Sequence, residues 1–350
     1  MPTLQLISAF LIGLILVYIS VPVIVRISNE KHLYDEPNER RINKIVIPNL
    51  GGVAIFIGVS IATLLSLHQL KFIEFRYIQA SLIILFFIGI KDDILIISAR
   101  KKFIAQIICA LILIIPGGIR FTNLHGILGL DEINYVLGAF ITLLAIVSII
   151  NAINLIDGID GLAASVGIFS SVIFGAKFLI TSHEDYAILS FAMIGSLLSF
   201  LWYNVYGTTY KIFLGDTGSL ILGLLIAIQV IQYNEFALAT TPQEAAFSPI
   251  FSLAILATPL ADMIRVFAIR IINGKSPFAP DLGHIHHRLL RLGFSHFNST
   301  IIIVLTNGFI ITLAFAFRFL NKHVLMMLLI AVIFLLLQLP DFFYKRKAIQ

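Results

Sequence analysis

The segment "NAINLIDGIDGLAA", residues 151–164, decides the fold because it joins two long apolar runs through a short polar stretch. The flanking runs, residues 134–153 and 163–180, are each long enough to cross a bilayer. Within the segment, amide and carboxylate side chains recur at intervals of three, at Asn151, Asn154, Asp157 and Asp160. Such groups are costly to remove from water, so their position at the end of an apolar run indicates a functional role.

The composition extends this pattern to the whole chain. The 350 residues are 59% hydrophobic and only 12% charged, and the mean hydropathy is +1.00. A soluble protein of this length carries more charge. We therefore predict an all-α fold, a polytopic transmembrane helical bundle in a single integral membrane domain over residues 1–350. The apolar runs predict eleven spans, at about 4–26, 50–68, 77–90, 103–119, 134–153, 163–180, 186–203, 217–232, 248–269, 300–317 and 323–343. The third is short, and we expect its helix to continue into the polar residues that follow.

The distribution of lysine and arginine predicts the orientation. With the N-terminus outside, 18 of the 24 basic residues fall on the cytoplasmic side and 6 on the outer side. This agrees with the excess of positive charge in cytoplasmic loops of membrane proteins. The C-terminus is then cytoplasmic, and we predict a composite active site formed by five polar cytoplasmic loops, whereas the outer loops are short and bland.

Composition also argues against several other classes of protein and site. Cys109 is the only cysteine and lies in an apolar run, so neither a disulfide framework nor a cysteine metal site is expected. The first twenty residues have no basic start and no cleavage signal, so we expect a retained helix. The pI of about 9.3 is attributed to basic cytoplasmic loops and an anionic ligand, not to nucleic acid.

Two acidic loops are candidates for binding a cation. Asp92 and Asp93 are adjacent and repel each other unless a cation or proton lies between them, although they could also begin a solvated loop. Lys102 lies nine residues after Asp93, about 13 Å away in a continuous helix, so the two could flank a ligand without touching. Asp216, in "FLGDTGSLILG", could hold a hard cation or simply cap the next helix.

A basic loop and an acidic residue inside a span are further candidates for a functional role. The stretch "HIHHRL" places three histidines beside Arg288; zinc is a weak interpretation, phosphate contact is at least as good, and a solvated loop remains an alternative. Asp262 and Arg265 are three residues apart in the ninth predicted span, which favours a structural ion pair. Phe213 could stack on a base, but taken alone it is a packing residue.

Five motifs, taken in order, resemble those of a known family. The motifs are "DEPNERR…IPNLGG", "DDILIISARKK", "NAINLIDGIDGLA", "FLGDTGSLILG" and "GKSPFAPDLGHIHHRL". They are similar to those of the polyprenyl-phosphate N-acetylhexosamine-1-phosphate transferases, and the similarity runs from about Asp35 to Leu290. Each motif alone is moderately specific, whereas five in order with a consistent topology are highly specific.

The resemblance implies a reaction and its partners. A polyprenyl phosphate, expected to be undecaprenyl phosphate, attacks the β-phosphorus of a UDP-N-acetylhexosamine and releases UMP, with Mg²⁺ as the cofactor and Mn²⁺ as an alternative ion. The expected location is the bacterial plasma (inner) membrane, and a homodimer is compatible with the resemblance. Phosphoryl transfer depends on positioning and charge neutralisation, which agrees with carboxylates and cations in neighbouring loops.

The resemblance also implies residue roles. Asp92, Asp93 and Asp216 match the catalytic carboxylates; Asp216 is the first choice for a Mg²⁺ ligand, Asp93 helps to position the metal, and Asp92 orients or deprotonates the lipid phosphate. The residues that match substrate-binding positions are Lys44, Lys102, Asn154, Asp157, Asp160, Asn204, Phe213, His284, His286, His287 and Arg288.

The histidine motif indicates the branch of the family. Ile285 interrupts the run of three histidines that is typical of the lipid I branch, so the motif looks like that of the GlcNAc-1-phosphate branch. That branch initiates O-antigen, common antigen or teichoic-acid linkage synthesis. Asn43 departs from its pattern, which usually has histidine there. The alternatives are a phospho-MurNAc-pentapeptide transferase and a transporter of nucleotide or lipid-linked sugars. A transporter would line a path from both faces, whereas here the polar groups crowd one face.

Overall fold

The computed structural model describes residues 2–33, 47–67, 72–95, 97–276 and 283–349. This part of the chain is a bundle of helices, whose bounds are α1 Pro2–Glu30, α2 Gly51–Ser66, α3 Phe75–Leu95, α4 Ala99–Ile114, α5 Tyr135–Ile156, α6 Leu162–Ile180, α7 Glu184–Leu201, α8 Gly215–Ala237, α9 Pro242–Ile255, α10 Ala257–Ile272, α11 Ile285–Arg291, α12 His296–Ala316 and α13 Lys322–Ile349. A π-helical turn, Trp202–Tyr206, extends α7. Each of the eleven predicted spans falls on one of these helices or, for the ninth, on a pair.

Helix α8 lies at the centre of the bundle. Its sequence is apolar on every side, and a helix of this kind is stable only when other apolar groups, of the protein or of the membrane, surround it. It packs against α2, α3, α5, α6 and α9, and nearly all of its residues are buried. Gln229, a polar residue in its middle, is satisfied because its Nε2 donates to Ser190 Oγ over 2.9 Å. The first turn of α8 is therefore held in a fixed place by its neighbours.

Within the described ranges, seven helices are long and apolar enough to cross a membrane, and the bent pair α9–α10 would make an eighth. Helix α2 has only 16 residues, and α3 and α4 carry charged residues at the ends that face each other. As expected, α3 continues through Asp92 and Asp93 to Leu95. The total of eleven spans and the orientation remain predictions.

The ninth predicted span is not one straight helix. It divides after Ile255, and α9 and α10 meet at an angle of 67°. Pro259 lacks an N–H group and suits the first turn of a new helix, where that group would have no helical partner. The backbone N–H of Thr258 donates to Asn307 Oδ1 of α12 over 3.0 Å, which fixes the start of α10. The interpretation as one continuous span is thus corrected by a tertiary contact.

The structure also departs from the all-α prediction on the side where α4 ends. Strands β1 Asn123–Ile127 and β2 Leu130–Glu132 form an antiparallel hairpin in a loop that was predicted to be bland. Leu128 and Gly129, the two turn residues, have φ angles of 55° and 75°. Two consecutive positive φ values are typical of the tight hairpin turn that matches the twist of paired strands. The strands are too short to give a clear alternating pattern in the sequence.

Helices α3 and α8 approach closely at Gly89, and this contact gives a stability prediction. A Cβ at residue 89 would lie 2.3 Å from Thr217 Cα, whereas one at Gly308 of α12 would find its nearest neighbour, Phe169 Cζ, at 3.9 Å. We expect Gly89→Ala to lower the free energy of unfolding by about 1–3 kcal/mol, because the clash is with backbone and the helices must separate. Gly308→Ala is the matched control and should leave the melting temperature unchanged or slightly higher. Thermal unfolding of both purified variants checks this; equal melting temperatures would contradict it.

Candidate active site

Polar side chains from separate parts of the chain line one cleft of about 350 Å³. They come from the start of α4, from the end of α5 and the residues just after it, from α10, and from the histidine segment, residues 284–287. The lining residues are Ala99, Lys102, Phe103, Gln106, Asn151, Asn154, Leu155, Asp157, Gly158, Leu220, Phe267, Arg270, His284, His286 and His287. Six predicted site residues are among them, and Asp216 bonds to two of those six.

Asp216 lies in the first turn of α8, where Gly215 adopts a positive φ of 73°. Its Oδ1 accepts hydrogen bonds from Lys102 Nζ at 3.1 Å and from Asn154 Nδ2 at 2.7 Å. Asn154 Nδ2 also lies 2.7 Å from Ser219 Oγ on the next turn of α8. The carboxylate is therefore oriented by α4 and α5, and its side chain keeps 31% exposure.

Asp93 holds the start of α8 from the neighbouring helix α3. Its Oδ1 accepts from the backbone N–H of Asp216 at 2.7 Å, and its Oδ2 accepts from the backbone N–H of Thr217 at 3.0 Å and from Thr217 Oγ1 at 2.5 Å. These N–H groups are ones that a helix leaves unpaired. Asp93, rather than Asp216, thus caps α8. The metal-positioning role predicted for Asp93 stays a prediction, and this geometry favours an indirect form of it.

Asp92 and Lys102 form the polar joint between α3 and α4. Asp92 Oδ1 accepts from the backbone N–H of Ile97 at 2.7 Å, and Oδ2 lies 2.5 Å from Lys102 Nζ. Lys102 therefore bridges two carboxylates, those of Asp92 and Asp216. The continuous-helix spacing does not apply, because α3 ends at Leu95 and α4 begins only at Ala99. The chain folds back there and brings Lys102 onto the acidic end of α3.

The four residues of the opening motif do not share one edge, because α5 ends at Ile156. Asn151 and Asn154 are on the helix, and Asn151 Nδ2 donates to Gln106 Oε1 of α4 at 2.7 Å. Asp157 follows the last turn and lines the cleft. Asp160 turns away, and its Oδ2 pairs with Lys211 Nζ at 2.7 Å. The interval of three in the sequence therefore does not continue as one helical edge beyond Asn154.

The two carboxyls of this motif differ in their electrostatic surroundings. Burial raises the pKa of the Asp157 carboxyl well above its usual range, and nearby carboxylates, chiefly Asp216 and Asp93, add to the effect. Burial by itself raises the pKa of Asp160, but hydrogen bonds from His296 and Lys211 outweigh it and hold that pKa below its usual range. Asp157 is thus a group that a cation in the cleft would ionise.

The histidine motif is helical, not a loop. His284 is the N-cap of α11, and His286 and His287 are in its first turn. Ile285 and Leu289 are one turn apart and both buried, which explains the helix. His286 is almost fully buried beside Gly158, and in the described structure neither of its ring nitrogens has a hydrogen-bond partner. Burial lowers the pKa of His286 to about 3, so its ring is neutral.

Besides Asp160, three described residues that were predicted to bind substrate lie outside the cleft lining. Asn204 joins two loops, since its Oδ1 accepts from Gly161 N at 2.6 Å and its Nδ2 donates to Ile212 O at 2.8 Å. Phe213 is held by its backbone, whose N–H donates to Pro48 O at 2.8 Å. Arg288 pairs with Asp341 of α13 at 2.5 Å. The substrate roles of these residues stay predictions, as does that of Lys44, which lies outside the described residues.

The sequence reasoning missed several lining residues, of which Gln106 and Arg270 are polar. Gln106 lies in an apolar run, but it is four residues after Lys102 and so shares its helix face. Arg270 is eight residues after Asp262, two turns along α10, and its Nη2 lies 3.5 Å from His284 Nε2. Helical spacing from a residue already singled out could have found both. The predicted pair of Asp262 and Arg265 is observed, at 2.9 Å.

The donor set of the cleft suits a weakly held oxygen-binding cation. Among the described residues no three of His, Cys, Asp and Glu form a closed metal cage. Mg²⁺ in phosphoryl-transfer sites is held by one or two carboxylates, with water and substrate phosphates as its other ligands. Asp216 and Asp157 provide such carboxylates at the cleft, and the ammonium of Lys102 already shows that a cation is stabilised there.

Known proteins are similar to this chain over most of its length. The sequence profile of the family described as glycosyl transferase family 4 matches residues 75–234. An undecaprenyl-phosphate alpha-N-acetylglucosaminyl 1-phosphate transferase of Salmonella typhi is 32% identical over 306 residues, which cover 86% of this chain and 80% of that protein. The protein of the same name from Haemophilus influenzae is 34% identical over 83% of this chain and 81% of that protein. The one from Escherichia coli K12 is 30% identical over 95% of this chain and 89% of that protein.

Proposed function

The chain belongs to glycosyl transferase family 4, together with the undecaprenyl-phosphate N-acetylglucosaminyl 1-phosphate transferases, and we propose that it transfers GlcNAc-1-phosphate from UDP-GlcNAc to undecaprenyl phosphate. The observation that carries this proposal is the cleft. Acidic and basic groups meet there: the lining includes Asp157, Lys102, Arg270 and the histidines, and Lys102 bridges Asp92 and Asp216. A diphosphate with a bound cation requires both kinds of group.

The reaction is a displacement at phosphorus. An oxygen of the lipid phosphate forms a bond to the β-phosphorus of the donor, and the bond from that phosphorus to the oxygen of UMP breaks. UMP leaves with the electron pair. Lys102 and Arg270 lie where they could offset phosphate charge, and Asn151, Asn154, Gln106 and the histidine segment could hydrogen-bond the donor. Charge stabilisation and alignment are the main sources of rate in such transfers.

Asp92 is better suited to orient than to remove a proton. Both of its oxygens are occupied, one by Ile97 N and the other by Lys102 Nζ. A phosphate monoester is already mostly ionised near neutral pH, so the lipid phosphate needs no base. We therefore favour the role in which Asp92 orients the lipid phosphate, and propose that it does so through Lys102, which it holds in place.

Mg²⁺ is the proposed cofactor, with Mn²⁺ as a substitute, and Asp216 and Asp157 are the residues that would hold it. The ion would neutralise the charge of the diphosphate and of the leaving UMP. We expect EDTA to lower transfer by at least about 10²-fold and excess Mg²⁺ to restore it, as measured by UMP release. The control is Ca²⁺ in place of Mg²⁺, whose looser geometry should restore less activity. Full activity in EDTA would contradict the proposal.

The chain is a multi-pass membrane protein. We further propose that α2, α3 and α4 also cross the bilayer, which gives eleven spans with the N-terminus outside and the cleft on the cytoplasmic side of the plasma membrane. The asymmetry of lysine and arginine supports this orientation. A cytoplasmic cleft gives access to a nucleotide-sugar, and a membrane fold gives access to a polyprenyl lipid. The product would start the synthesis of a cell-envelope polysaccharide.

The experiment that tests the function is a transfer assay on purified protein with undecaprenyl phosphate and donors labelled in the sugar. We expect a chloroform-soluble product from UDP-GlcNAc and much less from UDP-GalNAc or UDP-MurNAc-pentapeptide. Product from the pentapeptide donor alone would place the protein in the lipid I branch. No product from any donor would contradict the transferase proposal and would make transport the next hypothesis.

A further inference from the structure

Asp262 is a buried carboxylate that the proposed reaction does not use. It lies in α10 and has 0% exposure. The bend before α10 and the contact between Thr258 and Asn307 fix this helix, so Asp262 lies beside the histidine segment. Burying a carboxylate at this depth is costly unless several donors surround it. The identity of those donors indicates what the residue does.

Asp262 gathers donors from the segment that forms one wall of the cleft. Its Oδ2 lies 2.9 Å from His284 Nδ1, and the backbone N–H of Ile285 donates to both carboxylate oxygens at 3.1 Å. Arg265 Nη2 donates to Oδ1 at 2.9 Å and also to the carbonyl of Gly283. An ion pair with Arg265 alone would not need the contacts to His284 and Ile285.

These contacts favour one tautomer of the His284 ring. An ionised carboxylate can only accept, so the hydrogen is on Nδ1. Arg270 can only donate, and its Nη2 faces Nε2 at 3.5 Å, so Nε2 is the accepting nitrogen. Both His284 and Arg270 line the cleft. A carboxylate behind one ring nitrogen commonly fixes the tautomer and the direction of the other.

We propose that Asp262 is a positioning residue for the transfer reaction, which keeps His284 protonated on Nδ1 so that its Nε2 accepts from Arg270 and holds that guanidinium toward the diphosphate of the donor. The proposal rests on the proposed function for the identity of the donor. The tautomer of His284 does not depend on the proposed function, because it is a property of the protein alone. Arg270 is the group that meets the substrate, and Asp262 acts on it through His284.

The test uses Asp262→Asn in the full-length protein. The amide keeps the size of the carboxylate, but its NH₂ group would face His284 Nδ1 and favour the other tautomer. Nitrogen-15 NMR of histidine-labelled protein should show His284, assigned through His284→Gln, as the Nδ1–H tautomer in the wild type and not in the variant. We expect kcat to fall about 10- to 100-fold, with KM for UDP-GlcNAc changed less than about threefold.

Glu235→Gln is the matched control. It also replaces a hydrogen-bonded helical carboxylate by its amide, but Glu235 bonds Thr122 at the opposite end of α8 from Asp216, so tautomer and kcat should remain those of the wild type. The double variant of His284→Gln and Asp262→Asn should be no slower than His284→Gln alone. An unchanged His284 tautomer in Asp262→Asn, or losses that multiply in the double variant, would overturn the proposal. If the wild type transferred no sugar phosphate, only the proposed function would fail, because the tautomer is measured without turnover.

Discussion

Asp216→Asn is expected to lower kcat for GlcNAc-1-phosphate transfer by at least about 10³-fold. The change removes one negative charge from the group that Lys102 and Asn154 orient at the cleft. The amide oxygen can still accept from Asn154, and Asp93 bonds the backbone of residue 216, not its side chain. The start of α8 should therefore stay in place, and the loss should be one of charge alone.

The measurement is initial-rate UMP release by wild type and variant, together with the melting temperature of each. The matched control is Asp131→Asn in β2, which changes the same functional group at the far end of α4 from Lys102. We expect that control to retain wild-type rates. A properly folded Asp216→Asn protein with more than about a tenth of wild-type turnover would remove Asp216 from the reaction.

Lys102→Met is expected to lower kcat/KM by about 10²–10³-fold. Lys102 is the only cation in the described structure that lies between Asp92 and Asp216. Without it, the two carboxylates repel each other, and phosphate loses a charge partner. Methionine keeps most of the length and apolar contact of the side chain, so the change isolates the ammonium group.

Lys101→Met is the control for this variant, because Lys101 precedes Lys102 on the same turn but is exposed. Lys102→Arg should recover part of the activity, since it restores charge with a different shape. If both lysine variants lost activity equally, the effect would come from the general basic charge of the loop and not from the bridge to Asp216.

The membrane fold was predictable because each apolar run carries its own signal of length and hydropathy. The breaks were less predictable. Helices α3 and α4 separate in "ILIISARKK", which contains neither glycine nor proline. The division between α9 and α10 depends on Asn307, a residue about fifty positions away. Such breaks are decided by tertiary contacts, which local patterns do not contain.

The site was predictable in its residues more than in its geometry. Motif resemblance selected Asp216, Lys102 and the histidines; in the structure Lys102 and the histidines line one cleft, and Asp216 bonds to Lys102. The separate roles of Asp92 and Asp93 could not be read from two adjacent letters. One bonds Lys102 and the other caps a helix over 120 residues later, so their difference arises only from the fold.

The central claim is that the sugar leaves the donor together with its phosphate. The most direct measurement uses UDP-GlcNAc labelled with phosphorus-32 at the β position, incubated with purified protein, undecaprenyl phosphate and Mg²⁺. We predict that the label moves into the chloroform-soluble lipid and that unlabelled UMP is released in equal amount. Label that stays in water as UDP while sugar reaches the lipid would contradict the account, because the bond broken would then be the glycosidic one.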